Sequence, residues 1–297
     1  MVATGDDGAM NSMREGEIEY RGRKIGYTQW GEGERTIVLT HGLLMNRRMY
    51  DKLGPALAGE GFRVVAIDML GHGRSDRPED MRLYSIPAFS HQLEVAIETL
   101  ELDRPVIGGT SLGANISLDL AVRRPDIARG LFIEMPVLDN ALVGAVIAFT
   151  PVLLGLRFGR PLLEPLSWIT RRIPRSTLGA DILLDWVRQT PEPSRAVMEG
   201  VLFERTAPPH HDRVQIDLPA LVIGHQADPL HPFSDSNMLH RELPDSRLVE
   251  ATSLAEWRLT PTRLNSELAR FLDDVFSESG RGAEVSTEAS ETLRAVR

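Results

Sequence analysis

Short apolar runs alternate along this chain with longer stretches whose apolar positions recur every three or four residues. Thr36–Thr40, Arg63–Ile67, Pro105–Gly108, Gly130–Glu134, Leu221–Gly224 and Ser246–Glu250 read as strands. Ser85–Leu100, Leu112–Arg124, Phe233–Leu243 and Pro261–Phe276 carry helical spacing instead. Ahead of them, Glu17–Trp30 reads as a hairpin turning at Arg21-Gly22-Arg23. Strands that alternate with helices predict an α/β fold, a mostly parallel sheet with helices on both faces.

One interval breaks the alternation. Roughly eighty residues separate Pro136 from Leu221, whereas a crossover between parallel strands needs about a dozen or more. An insertion after the sixth strand is therefore expected. Its first half, Ala141 to Leu156, is almost wholly apolar but falls short of the ~20 residues of a membrane span and carries Pro151. Helices packed over the sheet, with one face lining an apolar pocket, are the expected outcome.

Composition narrows the classes. The 297 residues, 42% hydrophobic and 25% charged, can bury a large core. The net charge of −9 is dispersed rather than blocked and no basic stripe stands out, which argues against a nucleic-acid partner. Without cysteine there is no disulfide, thiolate nucleophile or cysteine metal site. The first residues lack a basic region followed by an apolar run, so no signal peptide is read and a cytoplasmic location is expected. No internal repeat is found.

Three motifs carry chemistry. Gly109-Thr110-Ser111-Leu112-Gly113 follows an apolar run and opens a helix, the strand, sharp turn and helix context in which G-x-S-x-G presents a nucleophilic serine. His41-Gly42-Leu43 follows another buried run, and Asp68-Met69-Leu70-Gly71-His72-Gly73-Arg74-Ser75-Asp76 a third. In this order the three motifs resemble those of the α/β-hydrolase superfamily, over approximately Glu17 to Phe276. The resemblance implies a flexible N-terminus at 1–14, a hydrolase core at 15–136 and 210–277, a helical cap or lid at 137–209 and a disordered tail at 278–297.

It also implies site roles. Ser111 would be the nucleophile, and the backbone N–H groups of Leu43 and Leu112 would form the oxyanion hole. Met45, Phe149 and Leu153 are assigned to the substrate pocket. Asp228, in the loop after the seventh strand, is the first choice of acid, and Glu134, at the end of the sixth, is the reserve. The family's base is a histidine after the last strand, but no histidine follows His240 here, and Ser253 or Leu254 stands at that place. His231, three residues after Asp228, is the candidate replacement, with a substrate-binding or packing role as its alternative.

His41 and His72 are expected to hold loops together, His225 to be structural, and His210-His211-Asp212 to be a solvated loop rather than a metal site. His91 and His240 are expected on helices, at the surface or partly packed. A serine hydrolase acting on an ester, thioester or related acyl compound with a hydrophobic portion is the leading expectation, with no cofactor, no metal and no stable membrane span. A ligand-binding member with a broken triad and a cofactor-free lyase using the oxyanion pocket are the alternatives. Epoxide hydrolase and haloalkane dehalogenase chemistry would want an aspartate in place of Ser111.

Overall fold

In the computed structural model, residues 12–174, 184, 187–188, 191–226, 228, 230–253 and 256–277 are described. Residues 1–11, the tail at 278–297, Leu254 and part of the 137–209 segment lie outside them. Eight strands form one sheet: β1 (Met13–Tyr20), β2 (Arg23–Trp30), β3 (Thr36–Thr40), β4 (Arg63–Ile67), β5 (Val106–Thr110), β6 (Gly130–Glu134), β7 (Ala220–His225) and β8 (Ser246–Ala251). Their spatial order is β1-β2-β4-β3-β5-β6-β7-β8. β1 and β2 join the edge antiparallel, and every pairing from β4·β3 to β7·β8 is parallel. β1 begins at Met13, ahead of the Glu17 expected from the sequence and inside the segment assigned to a flexible N-terminus.

The strand alternation sorts the core into two layers. Val38, Val65, Ile107, Leu131, Ile133 and Val222 face one cluster, while Ile37, Leu39, Val64, Val106, Phe132 and Leu221 face the other. Successive side chains of a strand point to opposite faces, and both faces of β3 to β7 are buried, so these strands read as unbroken apolar runs. Helices α2 (Ile86–Thr99) and α3 (Leu112–Arg123) cover the first face. Ile86, Phe89, Leu93 and Ile97 make the buried stripe of α2, whose N-cap Ser85 accepts from the Ala88 N–H at 3.3 Å. Helix α1 (Leu53–Gly59) and the C-terminal helix at residues 262–277 cover the second face, the latter through Leu264, Leu268, Phe271 and Val275.

Between β6 and β7 lie α4 (Leu142–Phe158), α5 (Arg160–Thr170) and α6 (Pro191–Leu202). One face of α4 packs as expected, and the rest stands open. Only Ala145 of α4 is fully buried; Phe149, Val152, Leu153 and Leu156 are partly buried against the core, and the rest of this apolar helix is exposed. One carboxylate fastens the start of the segment. Asp235, fully buried in the first turn of α7 (Phe233–Glu242), accepts from the N–H groups of Leu138 at 2.7 Å, Asn140 at 3.0 Å and Ala141 at 3.1 Å. The Asn140 amide adds a fourth bond at 2.8 Å.

Candidate active site

The turn from β5 into α3 holds Ser111 in a conformation that a serine rarely adopts, φ 56° and ψ −108°. The reason lies in the two flanking glycines. A Cβ on either Gly109 or Gly113 would come within 2.0 Å of the Thr40 carbonyl oxygen, so only glycine lets β3 lie this close to both sides of the turn. The Ser111 N–H donates to the Glu134 carbonyl at 2.8 Å, continuing the β5·β6 ladder past its end and fixing the turn from the other side.

Ser111 does not stand alone. His231 Nε2 lies 2.8 Å from Ser111 Oγ, and His231 Nδ1 lies 2.8 Å from Asp228 Oδ2. With Nδ1–H donating to the carboxylate, Nε2 is left to accept the serine proton. Asp228 is fixed by its own loop, its Oδ1 accepting from the N–H of Leu230 at 2.8 Å and of His231 at 3.1 Å. Burial pushes the Asp228 carboxyl up, but the hydrogen bond and charge of His231 and these two N–H donors outweigh it, and the group ends below its ordinary value. The structure thus brings together the three residues that the sequence offered as nucleophile, acid and base.

Glu134 is placed elsewhere. Its Oε1 accepts from His225 Nε2 at 3.2 Å and its other oxygen bonds the Thr110 hydroxyl, so it does not orient His231. His225 Nδ1–H donates to the Ser253 carbonyl at 3.0 Å. Burial lowers the His225 pKa, but the Glu134 hydrogen bond and charge reverse this, and the ring ends above its ordinary value. Ser253, one of the two residues at the place where the resemblance implies a base, thus supplies a backbone acceptor for a buried strut.

The loop after β3 is held by two buried histidines. His41 Nδ1–H donates to the Gly42 carbonyl at 2.9 Å and Nε2 accepts from the Met69 N–H at 3.1 Å. His72 Nδ1–H donates to the Leu70 carbonyl at 2.9 Å and Nε2 accepts from the Leu44 N–H at 3.1 Å. Burial lowers both pKa values, well below the usual histidine range for His72, so the rings stay neutral and each keeps one acceptor nitrogen. Asp68, fully buried, accepts from the N–H groups of Arg47 at 2.7 Å and Arg74 at 2.8 Å and pairs with the Arg47 guanidinium. These bonds tie the 41–47 loop to the Asp68–Asp76 turn. The Leu112 N–H stands in the first turn of α3, where a helix has no acceptor of its own to offer.

The expected pocket is only partly assembled. Phe149 and Leu153 pack on the α2/α3 face of the sheet, whereas Met45 packs on the opposite one. The cause is a tight turn: Leu44 takes φ 58° and the Met45 N–H returns to the Gly42 carbonyl at 3.0 Å, which reverses the chain and aims Met45 away. Leu44, which sequence reasoning missed, instead lines an apolar cavity of about 330 Å³ with Pro151, Val152, Leu156, Leu163 and Leu166. Neither β-branching nor polarity marks a leucine for a positive φ, so no sequence signal pointed to it. His210 and His211 sit in a short helical turn, His210 bonded to Glu242 at 2.8 Å, and His240 bonds Ser246 at 2.9 Å.

Comparison with known proteins gives the arrangement its family. Residues 35–148 match the model of the alpha/beta hydrolase fold. The sheet also superimposes on the enol-lactonase of Burkholderia xenovorans with a TM-score of 0.70 at 21% identity, over 87% of this chain and 100% of that one. Over residues 35–148, which carry His41, Asp68 and Ser111, the chain is similar to the α/β-hydrolase family, and its sheet has that fold. Among its relatives by sequence is a Mycobacterium tuberculosis protein of unassigned function, 25% identical over 80% of this chain and 75% of its own length. A 3-hydroxybutyrate-oligomer hydrolase from Cupriavidus necator is 33% identical, over 33% of this chain and 34% of the relative. No single helix among the described residues is long and apolar enough to cross a membrane.

Proposed function

We propose that this protein is a serine hydrolase of esters, thioesters or related acyl compounds with a hydrophobic portion. The observation that carries the reading is the hydrogen-bonded chain Ser111 Oγ, His231 Nε2, His231 Nδ1, Asp228 Oδ2, each contact 2.8 Å. His231 takes the Ser111 proton as Oγ attacks the acyl carbon, and the ionised Asp228 stabilises the imidazolium that forms. The developing oxyanion is received by the backbone N–H groups of Leu43 and Leu112, each such donor typically contributing about 3 kcal/mol. His231 then gives its proton to the leaving group, and water, activated by the same ring, releases the acyl chain from Ser111. The cavity lined by Leu44 and the α4/α5 helices supports a greasy acyl portion, because apart from Ser194 its lining is apolar.

A fluorophosphonate probe and short to medium acyl nitrophenyl esters test the reading. The wild type is expected to label and to release a burst of nitrophenol, and both signals are expected to vanish in Ser111→Ala and in His231→Ala. Labelling that survives in Ser111→Ala would place the nucleophile elsewhere.

A further inference from the structure

Among the described residues, eleven of the fifteen exposed large apolar side chains lie between Leu142 and Ile173. They form stripes rather than scatter. On α4, Val143, Ile147, Leu154 and Phe158 recur at helical spacing, and on α5 the stripe runs Leu162, Leu166, Ile169, then Ile173 just beyond. The two helices meet at Gly159 at an angle of 96°, and the residues flanking the bend, Phe158 and Leu162, are 72% and 79% exposed. The stripes therefore join at a projecting apolar elbow. Contiguous apolar surface on this scale marks an interaction site.

The charge around it identifies the partner. The whole chain carries −9, yet Leu142 to Pro174 contains Arg157, Arg160, Arg171 and Arg172 against the single carboxylate Glu164. At the far end of α5, Trp168 is 59% exposed and the Arg172 guanidinium stacks on its ring, 3.2 Å from the centroid. An apolar face edged by arginine and tryptophan is what a helix lying in a lipid interface needs, with rings at headgroup depth and cations toward anionic headgroups. A second copy fits less well: a two-fold contact sets a patch against itself and would bring these arginines together. We propose that the α4/α5 elbow docks the protein on an anionic lipid surface, lying in the interface without crossing it.

The test is co-sedimentation of the full chain with vesicles of phosphatidylcholine alone and of phosphatidylcholine mixed with phosphatidylglycerol. The wild type is expected to pellet with the mixed vesicles and to be released by salt. Phe158→Ser/Leu162→Ser and Arg171→Glu/Arg172→Glu are each expected to weaken vesicle binding about tenfold or more. All four side chains are exposed, so the thermal midpoint and the hydrolysis of a soluble short-chain ester should be unchanged. The emission of Trp168 should shift to the blue on binding, and Trp168→Phe should remove that shift. Three outcomes overturn the proposal: no binding of the wild type to either vesicle, binding undiminished in both double variants, or a dimer dissolved by Phe158→Ser/Leu162→Ser with no affinity for lipid.

Discussion

Two histidine–carboxylate pairs stand within a few residues of each other at the end of β7, and they differ in what the second ring nitrogen meets. In His231–Asp228 it meets the Ser111 hydroxyl; in His225–Glu134 it meets the Ser253 carbonyl. A hydroxyl can give up a proton and receive it back, whereas a carbonyl can only accept a hydrogen bond. His225 is therefore held with both nitrogens protonated, the state that its raised pKa also favours, and has no hydroxyl to take a proton from. The difference between the proposed base and the strut lies in one partner atom rather than in the ring.

The comparison breaks most visibly at the first pair. His231→Ala is expected to lower kcat about 10⁴- to 10⁶-fold while the protein stays folded, measured with an acyl nitrophenyl ester and far-UV dichroism. Asp228→Asn should cost about 10⁴-fold, since the amide leaves the ring in the wrong tautomer. A variant of either kind that keeps its rate would mean that the hydrogen-bonded chain does no chemistry. Glu134→Gln should do the reverse: it strands a buried imidazolium, costing about 3 kcal/mol in denaturant unfolding, with kcat little changed below the transition.

A smaller effect sharpens the contrast through pH. The folded pKa of His225 is raised, so the stability it contributes is fully present below the ordinary histidine value of about 6.5 and is lost as pH rises through the folded value. The gap in unfolding free energy between wild type and Glu134→Gln should thus narrow on the alkaline side. The folded pKa of Asp228 is lowered, so its contribution is present above about 3.9 and is lost as pH falls through the folded value. The gap for Asp228→Asn should close in acid. Denaturant titrations at a series of pH values separate the two, and parallel gaps across the range would argue that neither pair is ionised as described.

What was legible in the sequence was whatever depends on local spacing. Buried strands announce themselves as apolar runs, and the turn at Ser111 announces itself through Gly109 and Gly113, both needed to clear Thr40. Asp228 and His231 were legible as neighbours because a three-residue offset puts the His231 N–H on the aspartate. What depends on distant partners was not legible. Glu134 could equally have served His231, and only the sheet decides that it faces His225 and Thr110. Asp235 looked like any first-turn carboxylate, yet it gathers four donors from the start of the inserted helices. The exposure of α4 was not legible for a related reason: an all-round apolar helix has no periodicity to say which side is covered, or whether any side is.

Asp228 and His231 share one short loop, so the acid and base of the proposed mechanism are carried by a single stretch of chain instead of being brought from two corners of the fold. Their mutual alignment is consequently set within four residues and is indifferent to how β8 and the helix after it settle against the sheet. The Ser253 carbonyl then serves the His225 strut and no reacting atom of that mechanism. Such a loop is a portable cartridge: moved onto another sheet of the same strand order, it would bring its aligned histidine–carboxylate pair with it, leaving the serine turn and the oxyanion donors to the new sheet.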